Sequence, residues 1–190
     1  MSCTLKREKK RFALALLAES CENETYHHEN VRFIPGERKE ETMTVEENKH
    51  NDEIEIKKAI EGFVEAFRAR DLDGVMSIYA PQIVTFDVVP PLQYVGADAM
   101  RKRWEEAFSS LPGPVGYEIA DLSITVGEDM AFTHSFNRAS ATLPTGQQIG
   151  TWVRWTACWR KIGGQWLLVH DQISVPVDVQ TGKAVLDLKL

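Results

Sequence analysis

The chain predicts an α+β fold, and three observations carry that prediction. Apolar residues recur at helical spacing through Ile56, Ile60, Phe63, Val64 and Phe67. They do so again through Met100, Trp104, Ala107, Phe108 and Leu111. From Val115 onward the chain reads as long strands joined by short glycine-containing turns. Helices first and an antiparallel meander afterwards imply helices packed on one face of a single sheet.

Taken in order, Asn51 or Asp52 caps the first helix, which stops near Ala69-Arg70. Asp71 then caps a short second helix carrying Leu72, Val75, Met76 and Tyr79, ended by Pro81. Residues 82–87 (QIVTFD) have strand propensity, Pro90-Pro91 breaks that strand, and residues 92–95 form a brief second one before Gly96. A third helix begins near Ala97 and ends at Pro112-Gly113-Pro114. Strands over 115–126 and 130–143 follow, turning at Gly127-Glu128-Asp129 and Pro144-Thr145-Gly146.

The last hairpin, residues 151–176, turns at Gly163-Gly164 and carries bulk on both faces. Val153, Trp155, Ala157 and Trp159 share one face of its first strand. On its second strand Trp166, Leu168, His170, Gln172 and Ser174 alternate with Leu167, Val169, Asp171, Ile173 and Val175. The second set is apolar apart from Asp171, so it is expected to cover the outer side of the sheet in a homodimer. The mixed set is expected to line a pocket.

At 190 residues there is room for one domain and an extension. A 43% apolar content and five tryptophans suit a globular core. The net charge of −6 argues against nucleic acid as partner, which needs a basic surface. No apolar run approaches the roughly 20 residues that cross a bilayer, so no membrane partner is expected. Cys3, Cys21 and Cys158 lack metal-type spacing, and a reducing, cytoplasmic setting is the expectation. Residues 1–50 read as a poorly ordered extension and residues 51–190 as the domain. The basic stretch Lys6–Arg11, the apolar run at 12–18 and Cys21 have the order of a signal sequence. Glu19, however, stands where a small residue is wanted, so export through residues 1–21 is not the favoured reading. His27-His28 reads as a solvated pair, and Met43 is an alternative start to Met1.

Several short stretches stand out together: Arg-Asp-Leu-Asp-Gly at 70–74, VMSIYA at 75–80, the strand reaching Asp87, and Val95-Gly96 opening a helix. WRK at 159–161, GQW at 164–166, VHD at 169–171 and SVP at 174–176 join them. Over about residues 54–185 this pattern resembles the SnoaL-like branch of the nuclear transport factor 2-like superfamily. The resemblance implies a cone of three N-terminal helices packed on a curved, mainly antiparallel sheet. It also implies a pocket at the open end and, often, a dimer through the sheet. Activity does not follow from the fold, which hosts enzymes and binding modules alike.

Asp87 is the leading candidate for catalysis. It matches the place where the ketosteroid isomerases of this superfamily keep a general base, and apolar neighbours favour proton abstraction beside a carbonyl. The plain reading is a strand-end Asp before Pro90. The helix position where those isomerases place an oxyanion-donating Tyr is Phe63 here, and the sheet position for a protonated Asp is Ala157. Each missing donor removes about 3 kcal/mol of stabilisation, which argues against classical steroid isomerisation. His134 and Arg138 are substitute donors if their face of the 130–143 strand is concave, and His170 or His134 can pair with Asp87 as in the dehydratases. Phe63, Tyr79, Phe86, Trp104, Arg138, Trp155 and Gln172 are the expected pocket residues.

The expected function is therefore cofactor-free, metal-free binding of a small apolar or carbonyl-containing molecule, with isomerase or lyase chemistry at Asp87. The alternative is a non-catalytic binding or dimerisation module of the same fold.

Overall fold

The computed structural model describes residues 38–190 apart from Pro112, with side chains from residue 45. The expectations for the apolar run, Cys21 and His27-His28 fall outside the described residues. Helix α1 spans Arg38–Ala69, α2 Leu72–Met76 and α3 Ala97–Ser110. The strands are β1 (Tyr79–Phe86), β2 (Tyr94–Val95), β3 (Val115–Val126), β4 (Met130–Thr142), β5 (Gln148–Ile162) and β6 (Gln165–Ser174). A small separate ribbon pairs β7 (Val177–Asp178) with β8 (Lys183–Ala184).

The six-stranded sheet runs β2-β1-β6-β5-β4-β3. All its pairings are antiparallel except β1 with β6. The expected meander is therefore present, with β1 entering beside its last strand. The helices do not all precede the sheet, because β1 and β2 come between α2 and α3. Gly163 and Gly164 have φ of 59° and 83°, the paired positive angles of a type I′ hairpin turn.

Two boundaries differ from the sequence expectation. Helix α1 begins at Arg38 rather than at residue 51, so Asp52 lies inside it and caps nothing. Tyr79 opens β1 instead of ending α2, because Ala80 precedes Pro81 and is steered to extended backbone. Asp71 does cap α2, its Oδ1 accepting from the Gly74 N–H at 3.1 Å.

The helical layer and the sheet meet in an apolar core. Ile56, Ile60, Phe63 and Phe67 from α1 join Val75, Ile83, Met100, Trp155, Trp159 and Leu168, all buried. Burying each such side chain contributes roughly 1.5–3 kcal/mol. Polar ties set the layers relative to each other. Arg70, at a φ of 55°, donates to the carbonyls of Phe108, Leu111 and Gly113 at 2.6–2.7 Å. It thereby satisfies acceptors at the α3 C-terminus that the helix leaves open.

One irregularity decides which side chains face that core. Cys158 pairs with His170, but the next residue, Trp159, pairs with Leu168, so Val169 is an extra residue in β6. This β-bulge reverses the inward and outward phase along the strand. Trp166 and Leu168 point inward on one side of it, and Asp171 and Ile173 on the other. The set Leu167, Val169, Ile173 and Val175 consequently does not share one outer face, because Ile173 turns inward.

Asp52 illustrates how strongly α1 is tied down. Its Oδ1 accepts from Lys161 Nζ at 2.6 Å and from Trp166 Nε1 at 2.9 Å. Burial alone would raise this carboxyl, but the bonds from Lys161 and Trp166 outweigh it and hold the group below its ordinary value. Asp52→Ala, which leaves both donors unpaired, is expected to lower the unfolding free energy by about 1–3 kcal/mol in denaturant titrations. A depressed folded-state acid adds stability above its unfolded pKa and loses it as pH falls through the folded one. The difference between wild type and Asp52→Ala should therefore shrink on acidification below about pH 4.

Candidate functional site

The interior between helices and sheet is not filled. An inner chamber of about 40 Å³ lies among Ile60, Phe63, Ile78, Trp155, Leu168 and Asp171. An outer chamber of about 320 Å³ is lined by Phe67, Asp87, Val88, Met100, Arg103, Ala107, Leu111, Ala139 and Thr151, among others. Tyr79, Trp104, Tyr117, Asn137, Val153 and Ile173 line both, so they form the junction. The outer volume sits at the low end of ligand pockets, whereas the inner one holds only a water-sized group.

Asp87 ends β1 on the inward phase set by Ile83 and Thr85. It is not a lone acid. Its Oδ2 accepts from Arg103 Nε at 2.8 Å, and its Oδ1 accepts from the Val88 N–H at 2.6 Å. The pair is largely sheltered, with side chains 6% exposed for Asp87 and 21% for Arg103.

Deeper in, the apolar walls carry a small polar network. Trp155 Nε1 donates to Asp171 Oδ2 at 3.3 Å, and Trp104 Nε1 donates to the Tyr79 hydroxyl at 3.2 Å. Ser135 donates to Asn137 Oδ1 at 2.6 Å, and Asn137 Nδ2 donates to the Tyr117 hydroxyl at 3.1 Å. Both tyrosine oxygens are thus used as acceptors, and neither hydroxyl proton has an acceptor among the described residues. Burial pushes both phenols above their ordinary value, with the Asp171 carboxylate adding to the effect, so the protons stay on.

Asp171 is 2% exposed. Burial raises its carboxyl above the usual range, and contacts with Thr85 and Trp155 only partly oppose that. Thr85 stands opposite it in the β1–β6 register, yet Thr85 Oγ1 and Asp171 Oδ1 do not reach hydrogen-bond geometry, and neither has another partner among the described residues.

Of the residues singled out from sequence, Asp87, Phe63, Tyr79, Trp104 and Trp155 line the chambers. Five others do not. On β4 the buried residues are Ala131, Thr133, Ser135, Asn137 and Ala141, which leaves His134 and Arg138 on the outer face. His134 packs beside Phe132, and Arg138 is paired with Glu118 at 2.8 Å. Phe86, His170 and Gln172 share the outer phase of β1 and β6, where the Phe86 ring meets the His170 ring edge-on at 4.8 Å. His170 is held by its Nδ1 against the Val84 carbonyl at 2.8 Å. Neither histidine converges with Asp87, because the Val169 bulge and the β4 phase turn both away.

Sequence reasoning missed Asp171, Tyr117, Asn137 and Arg103. Asp171 was visible as the single charge in an otherwise apolar set. Tyr117 shares a strand face with Val115 and Ile119, and Arg103 falls three residues after Met100 on the α3 stripe. No group of three or more His, Cys, Asp or Glu side chains suited to a metal occurs among the described residues. No helix among them is long and apolar enough to cross a membrane.

The Asp171 environment yields a pH test of opposite sign to that of Asp52. A folded-state acid raised above its unfolded value is stabilising only while protonated, and that stability is lost as pH rises through the folded value. Asp171→Asn, an isostere of the protonated acid, should melt at a higher temperature than wild type at about pH 7. The two should melt together near about pH 3, where both states of the wild type carry the proton.

The model of a family described as SnoaL-like domain matches residues 56–178. Among solved structures, a nuclear transport factor 2-like protein of unknown function from Pseudomonas putida is 34% identical. It has a TM-score of 0.68 and covers 74% of this chain and 98% of its own. A nuclear transport factor 2-like protein with a cystatin-like fold from Novosphingobium aromaticivorans is 12% identical, with a TM-score of 0.64 over 77% of this chain and 96% of its own. A ketosteroid isomerase-like protein from Erwinia carotovora is 22% identical, with a TM-score of 0.53 over 65% and 96%. At such identities these last two likenesses concern the fold alone. No protein of curated function matches. With its helices laid across a bulged antiparallel sheet and the family match spanning most of the domain, the chain belongs to the SnoaL-like family of the nuclear transport factor 2-like superfamily.

Proposed function

We propose that this protein binds a small, largely apolar carbonyl compound inside the cone and acts on it as a cofactor-independent isomerase or lyase. The observation that carries this reading is the pair of unused hydroxyl protons on Tyr79 and Tyr117 at the junction of the chambers. Oriented donors in a dry site suit the charge that develops on a carbonyl oxygen when the adjacent carbon loses a proton. Asp171, biased toward its proton-carrying form, is a further donor in the inner chamber behind them. These groups occupy the role left open by Phe63 and Ala157, and Asp171 is the register partner of Ala157.

Asp87, in the outer chamber, is the base in this reading. It takes a proton from the carbon beside the carbonyl, the electron pair moves to the oxygen held by the tyrosines, and return of the proton elsewhere completes an isomerisation. Its ties to Arg103 and Val88 are those of a structural strand-end ion pair, which favours the second reading, a binding module without chemistry.

Proton exchange separates the two. Cyclohexanone incubated with the protein in heavy water should exchange its α-hydrogens faster than in buffer, and Asp87→Asn should reduce the rate by about 10²–10⁴-fold. Tyr117→Phe should lower it by about 10²–10³-fold, as loss of one oxyanion donor does. Binding detected by tryptophan fluorescence with no exchange would favour the non-catalytic module.

A homodimer through the sheet belongs to the same proposal, supported by the outer-face residues Phe86 and Phe132, which are 41% and 44% exposed. Sedimentation at micromolar concentration should give a dimer, and Phe132→Glu a monomer. A monomeric wild type would remove this part of the reading.

A further inference from the structure

We infer that the ligand of the cone carries a carboxylate as well as a carbonyl, and that Arg103 receives it; this rests on the reading above. Arg103 is the one cationic side chain lining either chamber among the described residues. Only its Nε is engaged, by Asp87; both terminal nitrogens lack an acceptor among the described residues. A guanidinium presents a planar fork that matches a carboxylate with two parallel bonds, and at 21% side-chain exposure little water competes.

The same contact acts on Asp87. Each Asp87 oxygen accepts one hydrogen bond and keeps a second lone-pair site. A ligand carboxylate on Arg103 gives the guanidinium a second acceptor and weakens its hold on Asp87 Oδ2. Asp87 then takes a proton faster from an acidic ligand than from a neutral ketone. Placement agrees with this order. Arg103 and Asp87 share the outer chamber, whereas the tyrosine hydroxyls stand at its inner end, so an oxo-acid lies with its carbonyl inward and its carboxylate at the mouth.

The test compares α-hydrogen exchange in heavy water for 4-oxocyclohexanecarboxylate, its methyl ester and cyclohexanone. With wild type the acid should exchange with a kcat/KM about 10–100-fold above the ester and cyclohexanone, in line with a charge-assisted bidentate contact. Arg103→Met should erase that preference, the acid and its ester then exchanging at equal rates whatever the absolute rate, and Arg103→Lys should retain part of it. Equal rates for the acid and its ester overturn the inference and leave the isomerase reading standing. Absence of exchange with all three ketones overturns that reading, and the inference with it. If Arg103→Met fails to fold, the wild-type comparison of acid and ester decides alone.

Discussion

A single extra residue in the last long strand governs this molecule. Side chains on a strand alternate with a period of two, so inserting Val169 reverses the phase of everything beyond it. Without the bulge, Trp166 and Leu168 could not share the interior with Asp171 and Ile173. The core residues Trp166 and Leu168 and the acid of the inner chamber are both inward-facing because of it. The outward turn of His170 is the same event seen from the other side.

A buried carboxyl is costly unless it is neutral or well bonded. Two acids in this fold meet that condition in opposite ways. Asp52 remains charged because Lys161 and Trp166 converge on one of its oxygens, and the contact fastens α1 to the β5–β6 hairpin. Asp171 has only the Trp155 indole within bonding geometry, and burial favours its protonated form. The first acid secures the scaffold; the second stands in the cavity that the scaffold encloses. At Asp52 the partners outweigh burial, and at Asp171 burial outweighs the partners.

The chambers also differ in character. The outer one is wide, mostly apolar and contains a neutralised ion pair, whereas the junction presents O–H groups with protons still available. A gradient from apolar walls to donors orients a molecule with one polar end. The aromatic walls Phe63, Phe67, Trp104 and Tyr117 meet edge-to-face at centroid distances of 5.0–5.9 Å, which fixes the junction rigidly.

Much of this was legible in the residues themselves. The helical stripes from Ile56 to Phe67 and from Met100 to Leu111, the glycine turn at 163–164 and the inward set Val153, Trp155, Ala157 and Trp159 follow from periodicity and turn chemistry. Those are local properties, and adjacent residues suffice to express them. Asp87, Tyr79 and Trp104 were within reach for the same reason. What only the tertiary structure decided was phase and partnership. A bulge has no signature in a strand with bulk on both sides, so His170 and Gln172 were assigned inward although they face out; for Phe86 on β1 and for His134 and Arg138 on β4, alternation alone does not say which phase meets the helices. The ties of Asp87 to Arg103 and of Asp52 to Lys161 join residues far apart in the chain, and such partners are specified by the packing of whole elements.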